Sequence, residues 1–130
     1  MKTKIRRIKK LLKLQSHLLS TERLELQTIK DAMEQAQREH HEAVSLLSEP
    51  PDCIPSDFLI HRARASATKI RNCEALLETQ REKTLDQARK EKLVKKKLDE
   101  EFANLSRLEQ AHALQQAIDA YLHSSVEQDQ

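Results

Sequence analysis

Apolar residues recur along the first third of the chain in alternating steps of three and four. The series runs Ile5, Ile8, Leu12, Gln15, Leu19, Glu22, Leu26, Ile29, Met33, Ala36, His40, Ala43 and Leu47, and ten of these thirteen positions are apolar. A 3.5-residue period keeps such a stripe facing one partner, so the spacing predicts one amphipathic helix over about residues 3–47 with a coiled-coil seam. Gln15, Glu22 and His40 interrupt the stripe, either as register-setting polar layers or as points of weaker packing.

All three prolines then fall within residues 48–56, as Pro50, Pro51 and Pro55. A helix-interior proline loses a backbone bond and clashes with the preceding turn, so this is the one segment that forbids a continuous helix. It is read as the turn of a two-helix hairpin. Ser56 is the expected N-cap of the second helix, with Asp57 as the alternative.

Helical character resumes over about residues 57–123, with an early seam of Leu59, Ala63, Ser66, Ile70, Cys73 and Leu77. Residues 78–92 are poor in apolar positions, with only Leu85 and Ala88. A stripe returns at Val94, Leu98, Phe102 and Leu105, then shifts phase through Leu108, Ala111, Gln115, Ile118 and Leu122. Two successive three-residue steps, Phe102 to Leu105 and Leu105 to Leu108, predict a local irregularity in supercoiling. Residues 124–130 are expected to be a disordered tail.

The fold class expected is therefore all-α, an antiparallel two-helix coiled-coil hairpin with a longer second helix, forming a single domain. If Leu47 lies near Asp57, residue i faces roughly residue 104 minus i. Ile5 then faces about Asp99, and the second helix runs on by some twenty residues. Its apolar face of Leu108, Ile118 and Leu122 is left without a partner, and such a helix needs one to be stable.

Composition agrees with long helices. The chain has 130 residues, no Gly or Trp, one Tyr and two Phe, with 34% charged residues. Such a chain has few of the turns and bulky residues a globular core requires. The net charge of +2 is nearly balanced, which argues against nucleic-acid binding as the main role. The charge is nevertheless uneven, since Lys2, Lys4, Arg6, Arg7, Lys9, Lys10 and Lys13 crowd the first thirteen residues with no acid among them. Through the hairpin they lie beside the mixed stretch of residues 89–101, which includes Lys90, Lys92, Lys95, Lys96 and Lys97. This field suits an acidic protein partner, a nucleic acid or a membrane surface. No apolar run approaches the roughly 20 residues needed to span a bilayer, and the interrupted N-terminal stretch does not read as a signal peptide.

No reaction centre is legible. His40 and His41 are adjacent and so do not share a helical face. Cys53 and Cys73 define neither a disulfide framework nor a metal motif. Glu100 and Glu101 have no cleft to separate their pKa values, and a phosphate-binding loop requires glycines that the chain lacks. The expectation is a protein that is not an enzyme and has no cofactor or metal. The phosphate-neutralising potential of residues 1–13 and 89–97 has no aromatic platform beside it, which makes nucleic acid an unfavoured partner.

The short turn at residues 48–56, the longer second helix and basic heptads such as Lys4-Ile5-Arg6-Arg7-Ile8-Lys9-Lys10-Leu11 together resemble one family over nearly the whole chain. This is the family of small coiled-coil stalk proteins of type III export machines, FliJ of flagella and the YscO-like proteins of injectisomes. Leu12, Leu19, Glu22-Arg23, Ala36 and Ala43 are similar to the opening of those proteins. The resemblance implies a central stalk that inserts the end carrying both chain termini into a hexameric export ATPase. It also implies contact with the cytoplasmic domain of the export gate and, in some members, with export chaperones. Carried over, Arg6, Arg7, Lys9 and Lys10, with Leu114, Ile118 and Leu122, would face the ATPase. Arg62, Arg64, Arg71, Arg81 and Arg89 would face the gate. The implied location is cytoplasmic, held at the inner face of the membrane through protein partners.

Other coiled-coil families fit less well. The turn has neither the length nor the β-branched alternation of a prefoldin subunit. Glu49 and Asp52 at the tip are reminiscent of a transcript-cleavage factor, but that family needs a second globular domain, which is not expected from these residues. The alternative that stands is a structural or adaptor coiled coil that self-associates or docks on another helical protein.

Overall fold

The structure is a computed structural model and describes residues 2–128. It is an all-α hairpin of two helices, α1 (Lys2–Ser48) and α2 (Ser56–Gln128), the second longer at 73 residues against 47. No strand occurs among the described residues. α1 stops at Ser48 because Glu49 precedes Pro50, and a residue before proline is driven out of the helical region. Pro51 accepts a backbone bond from Ile54 at 3.2 Å and closes the turn.

α2 starts at Ser56, the residue expected to cap it, one residue earlier than its expected start at residue 57. The carbonyl of Pro55 accepts from Phe58 and Leu59 at 3.1 and 3.4 Å, so Pro55 holds the capping position and Ser56 is the first helical residue. Proline has no N–H to leave unsatisfied there, yet its carbonyl is free to accept. Asp57 lies in the first turn, where a negative charge complements the helix dipole. At the far end, helix continues through residues 124–126 to Gln128, past the boundary expected at residue 123. No glycine or proline lies in this stretch to stop it. The remainder of the expected tail, residues 129 and 130, lies outside the described residues.

All thirteen seam positions of α1 are buried or half-buried, including its three polar members. Outside the seam only Ser16, Glu39 and Leu46 of α1 are similarly covered. On α2 the six early positions from Leu59 to Leu77 are also covered. The polar middle, however, does not interrupt the seam. Gln80, Thr84, Gln87, Glu91, Val94, Leu98, Glu101 and Leu105 continue in strict steps of three and four, and every one is buried or half-buried. Leu85 stands off this line and is 52% exposed. Phe102, expected in the stripe, is also off it and exposed, and Glu101 takes the buried place. The consecutive three-residue steps accordingly fall later, from Leu105 to Leu108 to Ala111.

The residues pack as two units, described in turn. One comprises residues 16–90. Its core includes Leu19, Ala36, Ala43, Leu59 and Leu77, with Leu59 and Ala43 fully buried. Two polar layers fix its register. His40 Nδ1 lies 3.0 Å from the carbonyl of Ala63 and 3.1 Å from Ser66 Oγ. Since Ser66 donates to the carbonyls of Arg62 or Ala63, His40 is placed to donate to the Ala63 carbonyl. Further along, the Gln80 amide donates to the Glu22 carbonyl at 3.0 Å and to the Glu22 carboxylate. Thr84 Oγ1 reaches the same carbonyl at 3.5 Å. The expected partner of residue 40 was 64, and that of residue 22 was 82, so the spacing rule holds closely here. The ion pair of Arg62 with Glu42 at 3.5 Å falls on the expected position as well.

The second unit comprises residues 2–15 with 91–128. Here Ile5 is buried, and Lys4 pairs with Glu101 at 3.1 Å, one residue from its expected partner. Every residue from 106 to 124 is exposed. α2 therefore projects beyond the start of α1.

Candidate functional site

With Ile5, Ile8 and Leu12 turned to α2, the cations of the first turns occupy the remaining positions. Lys2, Arg6, Lys9 and Lys13 each follow or flank a seam residue on one side. Lys4 and Arg7 lie along the other flank, and Lys10 points away from the seam. Arg6, Arg7, Lys9 and Lys10 are all exposed. Of these four, the structure brings Arg6 and Lys9 together. With Lys2 they rim a shallow groove of about 220 Å³ floored by Ile5, Phe102 and Leu105. Lys9 Nζ stands 5.1 Å from the centre of the Phe102 ring, within cation–π range. Phe102 makes that contact from the edge of the seam, where the spacing through Leu98, Glu101 and Leu105 leaves it.

Glu101 organises the same end. Its side chain is 5% exposed and receives Lys4 at 3.1 Å from α1 and Lys97 at 3.2 Å from its own helix. The hydrogen bond from Lys4, then that from Lys97, holds the carboxyl below its usual range against the opposing effect of burial. A carboxylate in the seam thus fixes two cations and ties the start of α1 to α2. Sequence reasoning passed over Glu101 because its neighbour Phe102 is the apolar residue. The usable signal was the unbroken spacing through Leu98, Glu101 and Leu105.

Leu114, Ile118 and Leu122 lie farther along α2, spaced four apart and 63%, 43% and 55% exposed. They share a stripe with Leu108 and Tyr121, which are 54% and 72% exposed. They are not gathered around Arg6 and Lys9 but extend the surface beyond the groove. The five arginines assigned to a second surface do not converge. Arg62 is tied to Glu42 and Arg89 to Asp86, each at 3.5 Å. Arg64 and Arg71, seven residues apart, share one face and are exposed. Arg62 flanks the seam on the opposite side from them, and Arg89 points outward.

The groove is open and shallow, with cations and apolar groups but no paired acid and base. Its apolar floor offers contact area, and its cationic rim can receive anionic groups. Among the described residues no three His, Cys, Asp or Glu side chains are grouped to hold a metal ion. No helix among them is long and apolar enough to cross a membrane. Comparison with protein-family models, with curated proteins and with solved structures finds no match to this chain.

Proposed function

We propose that this chain is a non-enzymatic central stalk of a type III protein export apparatus. It inserts the end formed by the start of α1 and the projecting part of α2 into a hexameric export ATPase and stimulates it. The stalk links that ATPase to the cytoplasmic domain of the export gate, with export chaperones as further partners, at the cytoplasmic face of the membrane. The observation that carries this reading is the pairing, at one end of a two-helix hairpin, of an acid-free cationic turn with an exposed apolar helix face. A hairpin of this kind can present charge and apolar surface to a ring of subunits. Arg6, Arg7, Lys9, Lys10, Leu114, Ile118 and Leu122 face the ATPase in this proposal. Arg64 and Arg71 are the arginines best placed to act together toward the gate.

The test is the ATP hydrolysis rate of a purified export ATPase with and without the full chain. Stimulation is expected, and it is expected to be lost when Arg6, Arg7, Lys9 and Lys10 are all changed to Glu. Because these side chains are exposed, the variant should keep its helicity. Failure of the wild-type chain to change the rate would overturn the stalk reading. The alternative, a structural coiled coil, draws on the same exposed apolar face.

A further inference from the structure

The projecting part of α2 has its own seam. Leu108, Ala111, Gln115, Ile118 and Leu122 follow steps of three, four, three and four, out of phase with the seam that α1 covers. All are exposed, and Leu114 and Tyr121 widen the stripe along one flank. A contiguous apolar stripe of five large side chains on an isolated helix calls for a cover. We infer that this cover is the same segment of a second copy, packed antiparallel about a two-fold axis at Gln115.

The sequence of the stripe is self-complementary in that arrangement. Antiparallel pairing about residue 115 sets Leu108 opposite Leu122 of the second copy and Ala111 opposite Ile118. A large residue then meets a small one at each Ala111 layer. Leu114 meets its own copy along one flank, with Tyr121 beside Arg107. Along the other flank His112 comes opposite Asp119, twice by symmetry, joining a donor to a carboxylate. Within one chain Asp119 accepts from Gln115 at 3.0 Å and His112 lies 3.2 Å from Gln116, both exposed contacts that can be exchanged.

A parallel pair would set Leu114 against Asp119 and Arg107 against His112 across the flanks, matching apolar with charged and cation with cation-forming group. It would also bring together two copies of the acid-free cationic turn, with Arg6, Arg7, Lys9 and Lys10 from each. Antiparallel packing keeps those turns at opposite ends. Charge therefore selects the occupant's direction. A two-fold interface that uses one patch twice closes on itself, so the assembly stops at a dimer.

This pairing does not rest on the export proposal, and its test contains no ATPase. The two occupants compete, because Leu114, Ile118 and Leu122 serve both. Sedimentation of the full chain across a range of concentrations is expected to show a twofold rise in mass. Ile118→Asp is expected to return the monomer mass with no loss of hairpin helicity, since residue 118 lies where α1 does not reach. In a chain with Cys53→Ser and Cys73→Ala, Gln115→Cys is expected to form a disulfide-linked dimer on mild oxidation. Gln116→Cys, turned off the seam, is expected not to. A chain that remains monomeric at every concentration would overturn the inference and leave the face to a different protein. A dimer indifferent to Ile118→Asp, or one in which residue 116 cross-links as readily as residue 115, would place the interface elsewhere and overturn it equally.

Discussion

The layer formed by Glu22, Gln80 and Thr84 gives the sharpest test of how the hairpin is held in register. Gln80 is 5% exposed, and its amide donates to both the backbone carbonyl and the carboxylate of Glu22. Changing Gln80 to Leu removes both bonds and leaves the half-buried carboxylate facing an apolar group. A hydrogen bond to a charged partner contributes about 1.5–3 kcal/mol. Glu22 is only partly covered and can recover some hydration, so the lower end, about 1.5 kcal/mol, is the expected loss. For a chain of this size that is a fall in Tm of roughly 3–6 °C. Glu22→Leu alone removes the carboxylate but keeps the residue 22 carbonyl as an acceptor for the Gln80 amide, so the loss of one hydrogen bond, about 0.5–1.5 kcal/mol, is expected. The double variant replaces both side chains of the bond by leucine, and removing both partners in this way is expected to be nearly neutral. The four proteins form a double-mutant cycle, measured by urea unfolding followed by circular dichroism. A coupling of at least ~1 kcal/mol is expected, because the two side chains share one network. Single variants whose losses simply add, or a Gln80→Leu protein as stable as the parent, would refute the idea that this layer is a coupled polar contact within the seam.

Leu59 and Leu85 test the seam assignment directly. Leu59→Ala is expected to cost about 2–5 kcal/mol, since Leu59 is fully buried, whereas Leu85→Ala at a 52% exposed site should stay within about 0.5 kcal/mol by thermal or urea unfolding. Equal losses would mean the polar stretch does not carry the seam. Glu101 has a lowered pKa, so its contribution is fully present above the ordinary carboxylate value of 4.5 and is lost as pH falls through the lower folded value. Glu101→Gln should therefore be less stable than the parent at neutral pH, with the gap closing below 4.5; a gap that does not change with pH would count against the Lys4–Glu101–Lys97 cluster. Cys53 is exposed in the turn and Cys73 is half-covered in the seam. A thiol reagent should modify Cys53 faster, on the order of tenfold, as read by mass spectrometry after digestion.

The first helix was almost wholly legible. Its apolar residues mark the seam themselves, and the three polar members fall on the same spacing, so burial could be read from periodicity alone. The proline cluster likewise placed the turn, because proline's limits are local and need no partner. The register of residues 4, 22, 40 and 42 then followed from the turn's position to within a few residues.

The second helix divides differently. Between Leu77 and Val94 the seam is made of Gln80, Thr84, Gln87 and Glu91, residues that on their own look like a solvated surface. What buries Gln80 is Glu22 across the seam, and what makes Glu101 an inward residue is Lys4. A polar side chain belongs inside only when its hydrogen bonds are met there, and that depends on a partner far away in sequence. The same dependence decided the candidate site. The sequence by itself fixed the cationic turn and the apolar stripe beyond it, because composition and helical spacing are local properties. Only the packing of α1 on α2 decided that Arg6 and Lys9 share a groove with Phe102 while Arg7 and Lys10 do not. The phase of the covered seam sets which side of α1 each cation occupies, and that phase is a property of the helix pair.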